Sequence, residues 1–368
     1  MAKSTAETSE EGHPYAFNVS GPRNLSFPNW KEIIRSSWND CNYKRTVIAC
    51  FIQVVYLLEL DRQENKTEEN GLAPKWWKPF KYKLGHILVD DRDGSIFGAI
   101  IEWDRSAALS NFIVMRPSGA PRAVLALRGT LLKSPSMRRD LEDDLRFLAW
   151  ESLKGSVRFN VALEALKSAV NKFGSCNVCV AGHSLGAGFA LQVGKQLAKQ
   201  GIFVEAHLFN PPSVSLANSI RNVSEKAVFA WKRIRGMLPS NGEIQLNGED
   251  KNAAESKVCA EIKKWVPNLY VNNSDYICCY YTDPAGTAEI AASSVDSSEK
   301  MKTKSQGHIP TNLFVMSKGP QKFLEAHGLE QWWSDDMELQ EAIHDSKLIT
   351  RQLKSLYTLP PPSQGNKK

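Results

Sequence analysis

An α/β fold, with a mainly parallel central sheet and helices on both faces, is the class that the sequence predicts. Short apolar runs typical of buried strands alternate with longer segments in which apolar residues recur every three or four positions. This β-α-β order indicates parallel strands joined by crossover helices. The predicted strands are 123–127, 177–181 and 203–209, and the predicted helices between and after them are 157–173 and 185–199.

Further elements are expected on both sides of this alternating region. Residues 30–60 predict two helices, and residues 83–103 predict a hairpin that turns at a run of aspartates and a glycine. Residues 112–115, 268–271 and 312–316 are predicted as strands, and residues 140–153 as a helix. Only helices are expected after the strand 312–316.

The chain of 368 residues, 42% of them hydrophobic, is long enough for one large α/β domain with insertions. We expect that domain over residues 31–358, after a poorly ordered segment 1–30 and before a disordered tail 359–368. An insertion over 217–265 and a flexible loop over 284–307, rich in Ser, Ala, Lys and Glu, interrupt it. The insertion contains a predicted amphipathic helix, 224–238, which either packs on the core or covers the site as a lid that touches lipid.

The charge pattern indicates a mildly basic surface rather than a nucleic-acid-binding one. The net charge is +6, and the basic residues are interspersed with acidic ones instead of clustering on one face, so no nucleic-acid partner is expected. Peripheral contact with anionic lipid stays open. The first twelve residues resemble no secretory signal, and the longest apolar run, 47–60, is interrupted by Gln53 and Glu59. We therefore expect a cytoplasmic protein without a transmembrane helix.

The cysteines predict structural thiols rather than a metal site. Seven cysteines are scattered along the chain, and only Cys176 and Cys179 have the spacing of half a zinc site. The second of these lies within a predicted core strand, and no His-x-x-x-His segment follows. We expect no metal and no cofactor.

One segment predicts nucleophilic chemistry. Gly-His-Ser-Leu-Gly at 182–186 matches Gly-x-Ser-x-Gly, with a predicted strand directly before it and a predicted helix directly after it. Such a tight turn holds the serine in a strained conformation beside a helix N-terminus, and small neighbours let the turn close. Ser184 is therefore the predicted nucleophile, and the backbone N–H of Leu185 is a predicted oxyanion donor. The simpler interpretation is an ordinary glycine-rich turn.

A serine nucleophile needs a base, for which histidine is suited near neutral pH. His86, His308, His327 and His344 are the candidates outside the motif, the N-terminal segment and the strand 203–209. Catalytic groups in open α/β sheets lie beyond the carboxyl ends of the strands. His327 follows the strand 312–316 and is favoured, whereas His308 precedes it.

An acid that orients this base should lie between the nucleophile and His327, after a strand. Asp275 follows the strand 268–271, and Asp283 is the second candidate. The simpler interpretation of Asp275 is an Asx turn. At the end of the strand 123–127, Thr130 fits the place of the second oxyanion donor.

The segment Val-Ala-Gly-His-Ser-Leu-Gly-Ala-Gly at 180–188 resembles the nucleophile segment of the class 3 (fungal-type) lipases, a branch of the α/β-hydrolases abundant in plants. Leu-Arg-Gly-Thr at 127–130 and His-Gly-Leu-Glu at 327–330 resemble that family's oxyanion and histidine segments. The resemblance implies the α/β-hydrolase fold and acyl-ester substrates, with Thr130 in the oxyanion hole and Asp275 as the acid. The chain also resembles plant lipase-like proteins sometimes labelled GDSL esterases, although it contains no Gly-Asp-Ser-Leu segment.

The sequence departs from the class 3 pattern at three places. Leu127 stands where the family usually has an aromatic residue, and Phe-Asn-Pro-Pro at 209–212 replaces its Gly-x-Pro-Arg. The segment 131–137 is short for the lid helix that often follows the oxyanion residue.

These observations predict a serine carboxylic-ester hydrolase of the lipase/esterase kind, acting through Ser184, His327, Asp275 and an acyl-enzyme. Acyl transfer to an acceptor other than water is a variant of the same chemistry. An alternative of another class is a non-catalytic lipase-like scaffold or signalling protein that binds a lipid or protein partner. The ordered Ser–Asp–His set favours the enzyme, because a scaffold has no need of all three residues.

Overall fold

Eight strands and six α-helices make up the part of the chain that the computed structural model describes. That part comprises residues 12–23, 38–111, 113, 115–131, 157–212, 264–275, 277–278, 281, 311–316, 319–333 and 339–344. The strands are β1 Tyr82–Val89, β2 Ile96–Trp103, β3 Ala123–Leu127, β4 Val178–His183, β5 Glu205–Phe209, β6 Asn268–Asn272, β7 Thr311–Met316 and β8 Leu339–His344. The helices are α1 Phe17–Ser20, α2 Cys41–Gln63, α3 Arg105–Ser110, α4 Val157–Phe173, α5 Leu185–Ala198 and α6 Phe323–His327.

All eight strands belong to one sheet, and their order in space is their order in the chain. The strands β3 to β7 are parallel. Antiparallel pairing adds β1 and β2 at one edge and β8 at the other. The α/β class with a mainly parallel sheet is thus confirmed, and the arrangement is that of an α/β-hydrolase.

Both faces of the sheet are covered, as the nearly uninterrupted apolar strands predict. Successive side chains of a strand point to opposite faces, and β3 shows this directly. Val124 and Ala126 pack in the core formed with α2, whereas Leu125 and Leu127 pack in the core formed with α4 and α5. The central strands are therefore buried on both sides, which makes them a rigid platform for groups at their carboxyl ends.

The long helix α2 covers one face of the sheet. Asp40 caps it by accepting hydrogen bonds from the N–H groups of Asn42 and Tyr43. The apolar run 47–60 lies within this helix, and most of its side chains are fully buried. Two helices were expected over residues 30–60; one continuous helix occupies 41–63, and residues 30–37 lie outside the described part.

The predicted hairpin is confirmed as β1 and β2, which pair antiparallel around the turn 90–95. Asp90 is fully buried beneath this turn and forms ion pairs with Arg92 and with Arg158 of α4. The hydrogen bonds from these two arginines hold the pKa of Asp90 well below its usual range. The ion pair with Arg158 therefore attaches α4 to the edge of the sheet.

Several other predictions can be compared with the structure. Ile113 and Met115 lie outside any strand, so the described part of 112–115 does not bear out a strand there. The prediction of only helices after β7 is wrong, since β8 pairs along the outer edge of β7. Within the N-terminal segment, the described residues 12–23 include α1 and pack through the buried Phe17. The predicted helices 140–153 and 224–238 and the loop 284–307 lie outside the described residues.

Candidate active site

Ser184 occupies a sharp turn between β4 and α5. Its backbone has φ 54° and ψ −126°, a strained conformation for a residue with a side chain. A hydrogen bond from its N–H to the carbonyl oxygen of Phe209, at 2.9 Å, fixes the turn against the neighbouring strand. The turn therefore projects the serine from the carboxyl edge of the sheet at the N-terminus of α5.

The glycines on both sides of Ser184 are required by close backbone contacts. A Cβ atom on Gly182 would collide with the carbonyl oxygen of Gly186, and one on Gly186 would collide with the carbonyl oxygen of Leu127. The N–H of Leu185, the first residue of α5, has no preceding helical carbonyl to donate to. This N–H and the helix dipole favour negative charge beside the serine.

Asp275 and His327 form a buried pair at the same edge of the sheet. The Asp275 carboxylate follows β6 and is fully buried, and its Oδ2 lies 2.8 Å from Nδ1 of His327. The same oxygen accepts hydrogen bonds from Nδ2 of Asn210 at 2.7 Å and from Sγ of Cys278 at 3.2 Å. The N–H of Ile277 donates to the other carboxylate oxygen at 3.0 Å.

This environment keeps the carboxyl group ionised. Burial by itself raises the pKa of Asp275, but the charge of His327 and the hydrogen bonds from His327 and Asn210 outweigh it and lower the pKa. An ionised carboxylate accepts the Nδ1 proton of His327, so the lone pair of Nε2 is the one left to receive a proton.

His327 lies beside the serine turn. It ends α6, is 4% exposed and stacks on the ring of Phe323. Its backbone carbonyl lies 2.8 Å from Nε2 of His183, the residue before the serine, and the two imidazole centroids are 5.0 Å apart. In the described part of the chain, no hydrogen bond joins the Ser184 hydroxyl to the His327 ring. The structure thus brings His327 together with Asp275 directly and with Ser184 through His183.

The end of β3 lies against the same turn. A Cβ atom on Gly129 would stand 2.8 Å from Cβ of Ser184, so this segment reaches the turn closely. Arg128 is buried and holds the segment by donating from Nε to the carbonyl of Ile96 and from Nη1 to that of Gly129. Thr130 follows and is partly exposed at this edge.

The other candidates stand elsewhere. His86 is exposed on the edge strand β1. His344 is in β8, and His308 and Asp283 lie outside the described residues.

Within the described residues, no group of three or more His, Cys, Asp or Glu side chains has the arrangement of a metal site. Among the helices of that same part, none is both long and apolar enough to cross a membrane.

Asn210 is a site residue that the sequence did not single out. Its amide nitrogen donates to Asp275 and, at 3.1 Å, to the carbonyl of Ala326, while its oxygen accepts from Nε1 of Trp332 at 2.6 Å. It is fully buried and has a positive φ of 47°, which asparagine tolerates better than most residues. The only signal in the sequence was an asparagine directly after a strand, at the segment where the class 3 pattern changes.

Comparisons with known proteins find a relative of this chain over nearly its whole length. No family model matches the chain. A structural comparison finds a lipase from Rhizopus microsporus var. chinensis at a TM-score of 0.36 and 13% identity, covering 86% of this chain and 82% of that one. A curated protein of Arabidopsis thaliana, named GDSL esterase/lipase At4g10955, is 31% identical over 357 residues, which cover 90% of this chain and 98% of the relative.

The sheet topology and the strained serine turn define the class of the chain as an α/β-hydrolase. The similarity to the Arabidopsis protein, which extends over nearly the whole length of that protein, shows the family of the chain within this class. The chain belongs to the same lipase/esterase family as that protein.

Proposed function

We propose that this protein is a serine hydrolase of carboxylic esters that acts through Ser184, His327 and Asp275. Nε2 of His327 takes the proton of the Ser184 hydroxyl as its oxygen attacks an ester carbonyl. The backbone N–H groups of Leu185 and Thr130 stabilise the resulting oxyanion. His327 then protonates the leaving alcohol, and water hydrolyses the acyl-enzyme by the same steps.

The observation that carries this proposal is the buried Asp275–His327 pair beside a serine in a strained turn. The carboxylate is fully buried, yet its pKa is lowered, because donors surround it and the imidazole is its nearest charge partner. An acid held ionised in this way fixes the tautomer of the histidine and stabilises the imidazolium that forms during attack. The hydrogen bond from Ser184 to His327 is expected to form when substrate occupies the site, as such contacts often tighten only in the complex.

Acyl esters, including lipids, are the proposed substrates. The support for this substrate class is the name of the Arabidopsis relative, an esterase/lipase, together with the resemblance of the serine turn to that of the class 3 lipases. Peripheral membrane contact through residues 224–238 and a cytoplasmic location stay predictions, as does water rather than another acceptor.

Hydrolysis of a series of p-nitrophenyl esters of increasing chain length tests the proposal. Replacing Ser184 or His327 with alanine, or Asp275 with asparagine, should lower kcat/KM by at least about a thousandfold. Matched controls are Ser110→Ala and His86→Ala, which change exposed residues of the same types and should leave the rate unchanged. A folded wild-type protein that hydrolyses no ester of the series would favour the scaffold alternative.

A further inference from the structure

A chain of hydrogen bonds connects three separate segments of the proposed active site. It starts at Gly129, which follows β3. The backbone nitrogen of Gly129 lies 2.8 Å from the hydroxyl oxygen of Tyr56 in α2. That hydroxyl is 2.8 Å from Nδ1 of His183, and Nε2 of His183 is 2.8 Å from the carbonyl oxygen of His327. The oxyanion segment, the serine turn and the histidine segment are therefore joined without any contribution from the three proposed catalytic side chains.

The direction of each bond follows from the groups at the two ends. The N–H of Gly129 is only a donor, so the Tyr56 oxygen accepts from it and its own proton goes to Nδ1 of His183. Nδ1 is then an acceptor, and Nε2 of His183 carries the proton that it donates to the carbonyl of His327. The chain thus has one consistent arrangement of protons.

The two side chains keep this arrangement over a wide pH range. Burial, and then the charge of His327, lowers the pKa of His183 to about 3, so its ring stays neutral. Burial raises the pKa of Tyr56 to about 12, although the charge of Arg128 and the Gly129 N–H act against it. Neither group therefore changes its proton count between about pH 5 and 9.

We propose that Tyr56 and His183 are positioning residues, which set the oxyanion segment and the backbone of His327 relative to the serine turn. The inference rests on the proposed function, since it concerns the alignment of that reaction. Three segments from different parts of the sheet must meet within a few tenths of an ångström, because small misplacement of reacting groups lowers the rate strongly. A fully paired network, in which His183 is buried and Tyr56 is half-buried, provides such a fixed geometry.

The test compares Tyr56→Phe with Tyr270→Phe. Tyr270 is a matched control, because its hydroxyl also bonds to Nδ1 of a buried histidine, His207, at 2.9 Å. We expect Tyr56→Phe to lower kcat for a p-nitrophenyl ester about 10- to 100-fold with KM changed less than about threefold, and Tyr270→Phe to keep kcat near wild type. Equal effects of the two variants on kcat, or an effect confined to KM, would overturn the proposal.

Two replacements of His183 separate the links. In His183→Asn the amide oxygen stands near the place of Nδ1 and can accept from Tyr56, whereas in His183→Gln the amide nitrogen stands near Nε2 and can donate to the carbonyl of His327. Each variant keeps one of the two hydrogen bonds of His183 and loses the other, so both variants should lower kcat. Adding Tyr56→Phe to His183→Gln should then lower kcat by less than Tyr56→Phe does alone, because the Tyr56–His183 bond is already lost and only the bond from the Gly129 N–H remains to be removed. A fully additive double variant would contradict the chain.

A spectroscopic measurement provides a readout that does not depend on activity. Nitrogen NMR of ¹⁵N-histidine-labelled protein, with His183→Gln to assign the signal, should show neutral His183 with its proton on Nε2 from about pH 5 to 9. The ring nitrogens should shift in Tyr56→Phe, and an Nδ1-protonated wild type would refute the chain. An inactive wild type with the expected tautomer would count against the proposed function, whereas an active wild type with an unaffected Tyr56→Phe would count against the positioning role alone.

Discussion

Replacing Asn210 with aspartate would place a second carboxylate beside Asp275. The amide nitrogen of Asn210 stands 2.7 Å from Oδ2 of Asp275, so an oxygen there faces another oxygen. For two unit charges at that separation of 2.7 Å, an effective dielectric constant of about 20 gives a repulsion of about 6 kcal/mol. The folded variant avoids this repulsion by binding one proton, which the two carboxylates share.

The expected stability loss follows from this bound proton. This repulsion raises the pair's apparent pKa in the folded chain above the value of about 3.9 that an aspartate has in the unfolded chain. Because the folded pKa is raised, stability falls as pH rises above about 3.9, by up to about 1.4 kcal/mol for each pH unit. At pH 7, about three units above the unfolded value, the linked loss is then at most about 4 kcal/mol, and it should nearly vanish near pH 4.

Urea denaturation at several values from about pH 4 to pH 8 measures this loss as a difference from wild type. Asn268→Asp is the matched control: its amide donates to the carbonyl of Ala206 at 3.2 Å and its oxygen accepts from Asn312, but neither partner is a carboxylate. Its stability difference from wild type should change much less over this range. A pH-independent difference for Asn210→Asp, parallel to that of the control, would refute the placement of Asn210 against an ionised Asp275.

Two further predictions concern the serine turn and the helix that covers the sheet. Gly186→Ala should destabilise the protein by about 1–3 kcal/mol and lower ester hydrolysis at least about tenfold, because its Cβ would collide with the carbonyl oxygen of Leu127; thermal unfolding and activity equal to wild type would contradict this. Burial raises the pKa of Glu59, but hydrogen bonds from Arg62 and from the N–H of Ile96 outweigh it and lower the pKa to about 2. Because the folded pKa is lowered, the Glu59 carboxylate stabilises the fold above about pH 4.5, and this contribution disappears as pH falls to about 2. In urea denaturation, the stability difference between wild type and Glu59→Gln should therefore shrink over that pH range. A difference that stays constant would argue against this role of Glu59.

The elements that the sequence predicted well are those that local pattern determines. The strand β4, the serine turn and α5 follow one another within 178–198, and glycines at 182 and 186 mark the turn between them. The hairpin of β1 and β2 is similarly local, because a turn of aspartates and a glycine separates two apolar runs. Such segments carry their own structural signal, so their prediction needs no knowledge of distant contacts.

The strand β8 shows why another part could not be predicted. Its sequence Leu-Gln-Glu-Ala-Ile-His contains residues that favour helices, and its strand conformation comes from antiparallel pairing with β7. The contacts of Tyr56, His183 and Asn210 depend in the same way on distant partners. Tyr56 is separated by 127 positions from His183, and Asn210 by 65 positions from Asp275. His183 was set aside as a base, and no local pattern indicates that its ring connects the serine turn to His327.

Mass spectrometry of the protein after reaction with a fluorophosphonate tests the central claim most directly, because this reagent reports an activated serine without requiring the natural substrate. We expect one adduct on the peptide that contains Ser184, none in Ser184→Ala, and much slower labelling in His327→Ala. A folded wild-type protein that stays unlabelled, or that is labelled at another residue, would contradict the assignment of Ser184 as the nucleophile.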